Sequence, residues 1–173
     1  MVKDLSVSFL GYTMKNPVVP ASGTFGFGWE FAGIYDINIL GSMSLKGTTA
    51  EARYGNPLPR IAECTAGLIN AIGLQNPGVR AVIDEEIPRL DKVYRGKVIA
   101  NVGGHSVDEY VSTAAAFDAC DKVFAVELNI SCPNVKGGGM AFGTDEKIAK
   151  ELVYAVKKQL KKPLIVKLSP NVT

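Results

Sequence analysis

The sequence is poor in the residues that most metal and redox sites need. Histidine occurs once, at His105, and cysteine three times, at Cys64, Cys120 and Cys132. No C-x-x-C pair occurs, which argues against a self-contained zinc or iron–sulfur site. Three scattered cysteines also make no disulfide framework. A triad built on histidine would rest on His105 alone. Neither sign of charge dominates: 19 Lys and Arg stand against 17 Asp and Glu, a net charge of +2. That balance leaves no electrostatic footprint for nucleic acid or an anionic membrane. No apolar run reaches the ~18 residues that cross a bilayer. Met1-Val2-Lys3-Asp4 opens without the pattern of a signal peptide, so a cytoplasmic protein is expected. What remains is ordinary globular composition, with 173 residues, 47% of them hydrophobic, 18 glycines and 9 prolines. Such a chain is expected to form a single domain over residues 1–173.

Apolar runs and breakers alternate along the chain. A small hairpin is expected over 5–14, turning at Leu10-Gly11, and a short strand at Pro17-Val18-Val19-Pro20. Helical spacing follows from Trp29 to Tyr35, then a strand from Gly41 to Lys46. An excursion over 47–77 holds Gly55, Asn56, Pro57, Pro59, Gly67 and Gly73. A helix is expected from Val79 to Leu90, stopping near Pro88. Strands are expected at 97–101 and 123–130, with a helix capped by Ser106 between them. A last helix over 145–160, capped by Thr144, carries the apolar stripe Ile148, Leu152, Val153, Val156 and Leu160. A strand opens after Pro163.

Repeated strand–helix units imply a parallel sheet. An open nucleotide-binding sheet usually carries G-x-G-x-x-G after its first strand, and Ser22-Gly23-Thr24-Phe25-Gly26-Phe27-Gly28 lacks that spacing. Ser22, Lys46, Asn101, Asn129 and Lys167 each end an apolar strand, as the polar rim of a (β/α)8 barrel would require. By strand alternation Ser42 and Ser44 share a side with Lys46, and Glu127 shares one with Asn129. The fold class expected is therefore an α/β TIM barrel. A full barrel needs eight strands and about 250 residues, so about five βα units are expected here, the first part of a longer chain.

Two runs hold the candidate chemistry. Asn129-Ile130-Ser131-Cys132-Pro133-Asn134 places a thiol just beyond a strand end. A thiol there serves as a buried filler, a nucleophile, a proton carrier or a metal ligand. With no histidine nearby in sequence to pair with it, and amides on both sides to hold a polar ligand, a general base is the better role. Asn70-Ala71-Ile72-Gly73-Leu74 is the second run, returned to the Lys46 rim by the excursion. Asn76-Pro77-Gly78 reads as a plain turn. Gly137-Gly138-Gly139 lacks the Lys-Ser or Lys-Thr of a P-loop and reads as a flap carrying Cys132. His105 reads as a loop residue, and Trp29 and Phe31 as core.

The segments PVVPASGTFGFG, NPLPRIAE, INAIGLQNPG, ELNISCPNVKGGG with AFGTD, and VKLSPNVT together resemble the class 1 dihydroorotate dehydrogenases. The likeness is closest to class 1B, the NAD-linked form. It implies a (β/α)8 barrel binding FMN and oxidising dihydroorotate to orotate in pyrimidine synthesis. Cys132 would be the base that removes the C5 proton as hydride leaves C6. Lys46, Asn70, Ala71, Ile72, Gly73, Leu74, Asn129 and Asn134 would bind substrate. Ser22, Lys46, Gly47, Asn101, Asn129 and Lys167 would bind FMN. No metal is expected in this chain. Class 1B further implies a partner subunit carrying FAD and a [2Fe–2S] cluster, with this chain as the homodimeric core of a heterotetramer. The alternatives are a fumarate-linked class 1A enzyme, a related flavoprotein reducing another pyrimidine, and a catalytically incompetent fragment, since the family's later strands and its main phosphate-binding loops fall beyond these residues.

Overall fold

The computed structural model describes residues 3–131 and 140–169. It opens with an antiparallel hairpin, β1 (Val7–Phe9) on β2 (Tyr12–Met14). Leu10 and Gly11 form its two-residue turn with φ of 52° and 80°, the double left-handed geometry that matches strand twist. Residues 18–20 then run alongside 41–44. The Gly41 N–H donates to the Val18 carbonyl (3.0 Å) and the Ser44 N–H to that of Pro20 (3.1 Å). The expected strand at 17–20 is reduced to such single contacts, because Pro17 and Pro20 have no N–H to give a ladder, and that at 41–46 survives as isolated parallel bridges. The helical spacing at 29–35 yields only a short 3-10 turn, Trp29–Gly33. Phe25 stacks on Phe31 with ring centroids 4.2 Å apart.

The excursion contains a feature with no sequence signal, the hairpin of β3 (Ile61–Cys64) on β4 (Gly67–Asn70). Both faces of this hairpin are exposed, so it has no hydrophobic alternation to read. Next comes one helical stretch in three parts, α1 (Val79–Ala81), a π turn (Val82–Glu86) and α2 (Ile87–Asp91). It ends at Asp91, one residue past the expected Leu90, and Pro88 lies just after the π turn, where the regular ladder is already interrupted.

β5 (Val98–Val102), β6 (Val123–Asn129) and β7 (Leu164–Lys167) form a parallel sheet in that order. Residues 43–48 extend it beyond β5. The Leu45 N–H donates to the Ile99 carbonyl, that of Ile99 to Met43 and that of Thr48 to Asn101, all within 3.0 Å. Between β5 and β6 runs α3 (Val107–Asp118), whose N-cap Ser106 Oγ accepts the Glu109 N–H at 3.2 Å. After β6 come α4 (Met140–Gly143) and α5 (Glu146–Gln159). The cap of α5 is Asp145 and not Thr144. Its carboxylate accepts the N–H groups of Lys147 (2.9 Å) and Ile148 (3.0 Å). A carboxylate at that end also meets the positive pole of the helix.

Each central strand has two different faces. Outward, Val98, Ala100, Val102, Val126 and Leu128 bury themselves with Tyr110, Phe117, Leu152 and Val156 of the helices. Inward, the lowest layer is apolar: Ile99, Phe124 and Ala125 packed by Tyr12, Val19 and Ile165. The N-terminal hairpin closes this end, with Tyr12 and Phe124 ring centroids 4.7 Å apart. Nearby, burial first and repulsion from the Tyr12 phenolate second push the Tyr94 phenol up to about 12. Above the apolar layer the inward residues turn polar. Among the described residues no helix is long and apolar enough to cross a membrane, and no group of three His, Cys, Asp or Glu is placed to hold a metal.

Candidate active site

Strand alternation carries Ser42, Ser44 and Lys46 up one side of the sheet's inner surface, Ile99 and Asn101 up the next, then Glu127 and Asn129, then Ile165 and Lys167. Ser42 and Ser44 are buried and satisfied. Ser42 Oγ donates to the Lys97 carbonyl (2.9 Å) and Ser44 Oγ to Glu127 Oε1 (3.1 Å). The same Glu127 oxygen accepts from Asn101 Nδ2 and lies 3.4 Å from Lys167 Nζ. One carboxylate thus gathers a hydroxyl, an amide and an ammonium from the neighbouring segments. Charge-assisted bonds of this kind are the strong ones.

Above this layer lies a cavity of about 490 Å³ lined by Ser22, Gly23, Thr24, Lys46, Gly47, Ile61, Leu68, Asn70, Ile72, Gly73, Leu74 and Asn129. The excursion supplies one wall, and its backbone is pinned. The Ala71 N–H donates to the Arg60 carbonyl (2.9 Å) and that of Asn56 to Ile72 (3.0 Å). Gly73 and Leu74 turn back with φ of 74° and 55°. A Cβ at Gly73 would stand 2.8 Å from the Asn56 nitrogen, so both the turn and the close approach call for glycine. The left-handed Leu74 is held by Asn76, whose Nδ2 donates to the Leu74 carbonyl (2.7 Å) while its Oδ1 accepts the Gly78 N–H (2.9 Å). Asn76 is therefore a turn residue, as its Asn-Pro-Gly setting implies.

Asn129 enters the cavity from the end of β6. Its Oδ1 accepts from Ser131 Oγ (2.9 Å), and its carbonyl accepts the Tyr110 hydroxyl (2.8 Å). Ser22, Lys46, Gly47, Asn70, Ile72, Gly73, Leu74 and Asn129 are thus brought together from four separate stretches of chain. Ala71, Asn101 and Lys167 do not line this cavity. Asn101 is fully buried one layer below, where its Oδ1 has no donor among the described residues. A Cβ on Gly47 would stand 2.8 Å from that oxygen and 3.1 Å from Leu74 Cδ2. Cys132, Asn134 and the run Gly137-Gly138-Gly139 lie outside the described residues.

Sequence reading does not single out Gly23 and Thr24, the neighbours of Ser22 in the lining, nor two further kinds of residue. Glu127 and Ser44 were placed on the inner face but not in the site. Ile61 and Leu68 belong to the hairpin that had no pattern. The lining suits a flat heteroaromatic ring. Ile61, Leu68, Ile72 and Leu74 offer apolar contact, while Lys46, Ser22, Asn70 and Asn129 offer polar groups for its edge. The volume falls within the ~300–1,000 Å³ of small-molecule and cofactor sites. The orphaned Asn101 oxygen points the same way, because a buried acceptor without a donor costs about 1–3 kcal/mol. These residues fit the isoalloxazine ring of FMN.

The dihydroorotate dehydrogenase family profile matches residues 4–173. The "Dihydroorotate dehydrogenase B (NAD(+)), catalytic subunit" of Enterococcus faecalis (strain ATCC 700802 / V583) is 54% identical over 173 residues, covering 100% of this chain and 55% of that protein. The protein of the same name from Anoxybacillus flavithermus is 56% identical over 169 residues, 98% of this chain and 54% of its own. A DHODH from Eimeria tenella, crystallised with ferulenol, superposes with a TM-score of 0.78 at 21% identity, covering 98% of this chain and 53% of that one. At that identity the likeness speaks for the fold alone, a partial (β/α)8 barrel. The chain spans about half the length of the curated relatives it matches.

Proposed function

The chain belongs to the dihydroorotate dehydrogenase family, and on that footing we propose that the whole protein oxidises dihydroorotate to orotate with FMN and passes the electrons to NAD. The observation that carries this reading is the cavity itself. It collects Lys46, four amide-bearing or small polar side chains and an apolar wall at the C-terminal ends of parallel strands, where barrels do their chemistry.

In this reading Ser22, Lys46, Gly47 and Asn129 hold the flavin directly, and Asn101 and Lys167 support it from outside the cavity lining. Bound FMN supplies a two-electron acceptor for the hydride from substrate C6. Asn70, Asn129 and Asn134, with the backbone of Ala71, Ile72, Gly73 and Leu74, hold the substrate carboxylate and ring amides. Cys132 as thiolate takes the C5 proton, and the electron pair of that C–H bond becomes the C5=C6 double bond of orotate. The Lys46 ammonium stabilises negative charge in a cavity from which substrate excludes water. The names of the close relatives, NAD(+)-type catalytic subunits, support a second subunit as the route to NAD. In our reading that subunit carries FAD and a [2Fe–2S] cluster.

Anaerobic addition of dihydroorotate to the whole purified protein tests this. The flavin colour should bleach and one orotate should form per flavin. Persistence of the colour with substrate in excess would contradict it. Reduction of NAD only after the second subunit is added would support the electron route.

A further inference from the structure

Glu127 lies half-buried below the cavity with its side chain 15% exposed, and it has no place in the reaction described above. Its Oε1 accepts from Asn101 Nδ2 and from Ser44 Oγ, and sits 3.4 Å from Lys167 Nζ. A carboxylate only accepts hydrogen bonds, so it draws the NH2 end of the Asn101 amide to itself. The carbonyl end must then face the other way. It does: Asn101 Oδ1 lies 2.8 Å from where a Gly47 Cβ would be, beneath the cavity floor, with no donor among the described residues.

We propose that Glu127 is a positioning residue of the cofactor pocket: it fixes the Asn101 amide with its oxygen toward Gly47 and holds the Lys167 ammonium beside it. The acceptor beneath Gly47 and the cation beside it are thereby held in fixed places under the cavity floor, where they shape the backbone and the charge that the ring meets. The inference rests on the reading that this cavity takes FMN. Glu127 does not line the cavity, and acts through Asn101 and Lys167.

A donor–acceptor exchange tests it in the whole protein. Asn101→Asp faces two carboxylates against each other and should weaken FMN binding about tenfold or more. Adding Glu127→Gln reverses the bond, because the glutamine NH2 now donates to Asp and the other Asp oxygen faces Gly47. The double variant should recover FMN affinity to within about threefold of wild type, a coupling well inside that measured for residues in contact. Dissociation constants come from quenching of flavin fluorescence, and melting temperatures of the apoproteins report the fold separately.

Recovery of affinity in the double variant, out of step with the melting temperatures, supports the proposal. A double variant that binds no better than Asn101→Asp overturns it. Affinities that merely follow the apoprotein melting temperatures also overturn it, since the pair would then be structural only. Should Asn101→Asp fail to fold alone, a double variant that folds and binds as predicted still supports the proposal, and one that does not fold or bind overturns it. A wild-type protein that takes up no FMN is the separate result that removes the functional reading, and this inference with it.

Discussion

Gly47 lies directly over Asn101: a Cβ added to the glycine would meet Asn101 Oδ1 at 2.8 Å and Leu74 Cδ2 at 3.1 Å. The absence of a side chain at residue 47 lets the strand end, the buried amide and the returning excursion close around one cavity. Gly47→Ala should therefore displace either the amide or Leu74. Overpacking of this kind costs about 1–3 kcal/mol, or about five- to 150-fold in affinity if it falls on the pocket. FMN titration of the whole protein measures it, and unchanged binding would mean that the floor of the cavity is not a flavin contact.

Cys132 is proposed as the proton acceptor. Cys132→Ala should leave orotate binding near its wild-type value and slow flavin reduction by about 10²–10⁴-fold, the usual worth of a general base. Stopped-flow reduction within tenfold of wild type would remove the thiol from that role.

Rim and core were legible for different reasons. Ser22, Lys46 and Asn129 stand out because each is a polar residue ending an apolar run, and the helix caps follow from local chemistry. At the start of α5 two adjacent residues are both competent caps. The backbone settles the choice, since Asp145 holds φ −116° and ψ 119°, the extended geometry that a cap requires. The cluster at Glu127 was not legible, because its partners Asn101 and Ser44 lie 26 and 83 positions away. Strand alternation gives the shared face but not the register that makes the bonds. The hairpin of β3 and β4 was hidden for the opposite reason: it packs neither face, so burial left no mark on its sequence.

The cap makes a stability prediction. Asp145→Ala removes the acceptor of two first-turn N–H groups and should cost about 1 kcal/mol. Urea denaturation should show a lower midpoint with an unchanged slope. A midpoint equal to wild type would show that the first turn of α5 is held by other groups.

Tyr94 makes a pH prediction. Its phenol ionises at about 12 when folded, chiefly because it is buried, and near 10 when the chain is unfolded. Between those values the unfolded state has lost the proton and the folded state keeps it, so stability falls as pH rises. The contribution is complete below pH ~10 and is lost on passing upward through about 12. Tyr94→Phe has no proton to lose, and its melting temperature should decline less steeply over that interval. Parallel declines in the two proteins would assign the alkaline loss to other groups.

Lys46 belongs to the described cavity and, in this account, serves both flavin and substrate. Anaerobic rapid mixing of the whole protein with dihydroorotate, beside orotate titration, compares wild type with Lys46→Ala. Loss of the ammonium should weaken orotate binding and slow flavin reduction by about 10²–10³-fold, the cost of removing one preorganised electrostatic contact. Orotate affinity and reduction rate both at wild-type values would show that the chemistry takes place elsewhere than in this cavity.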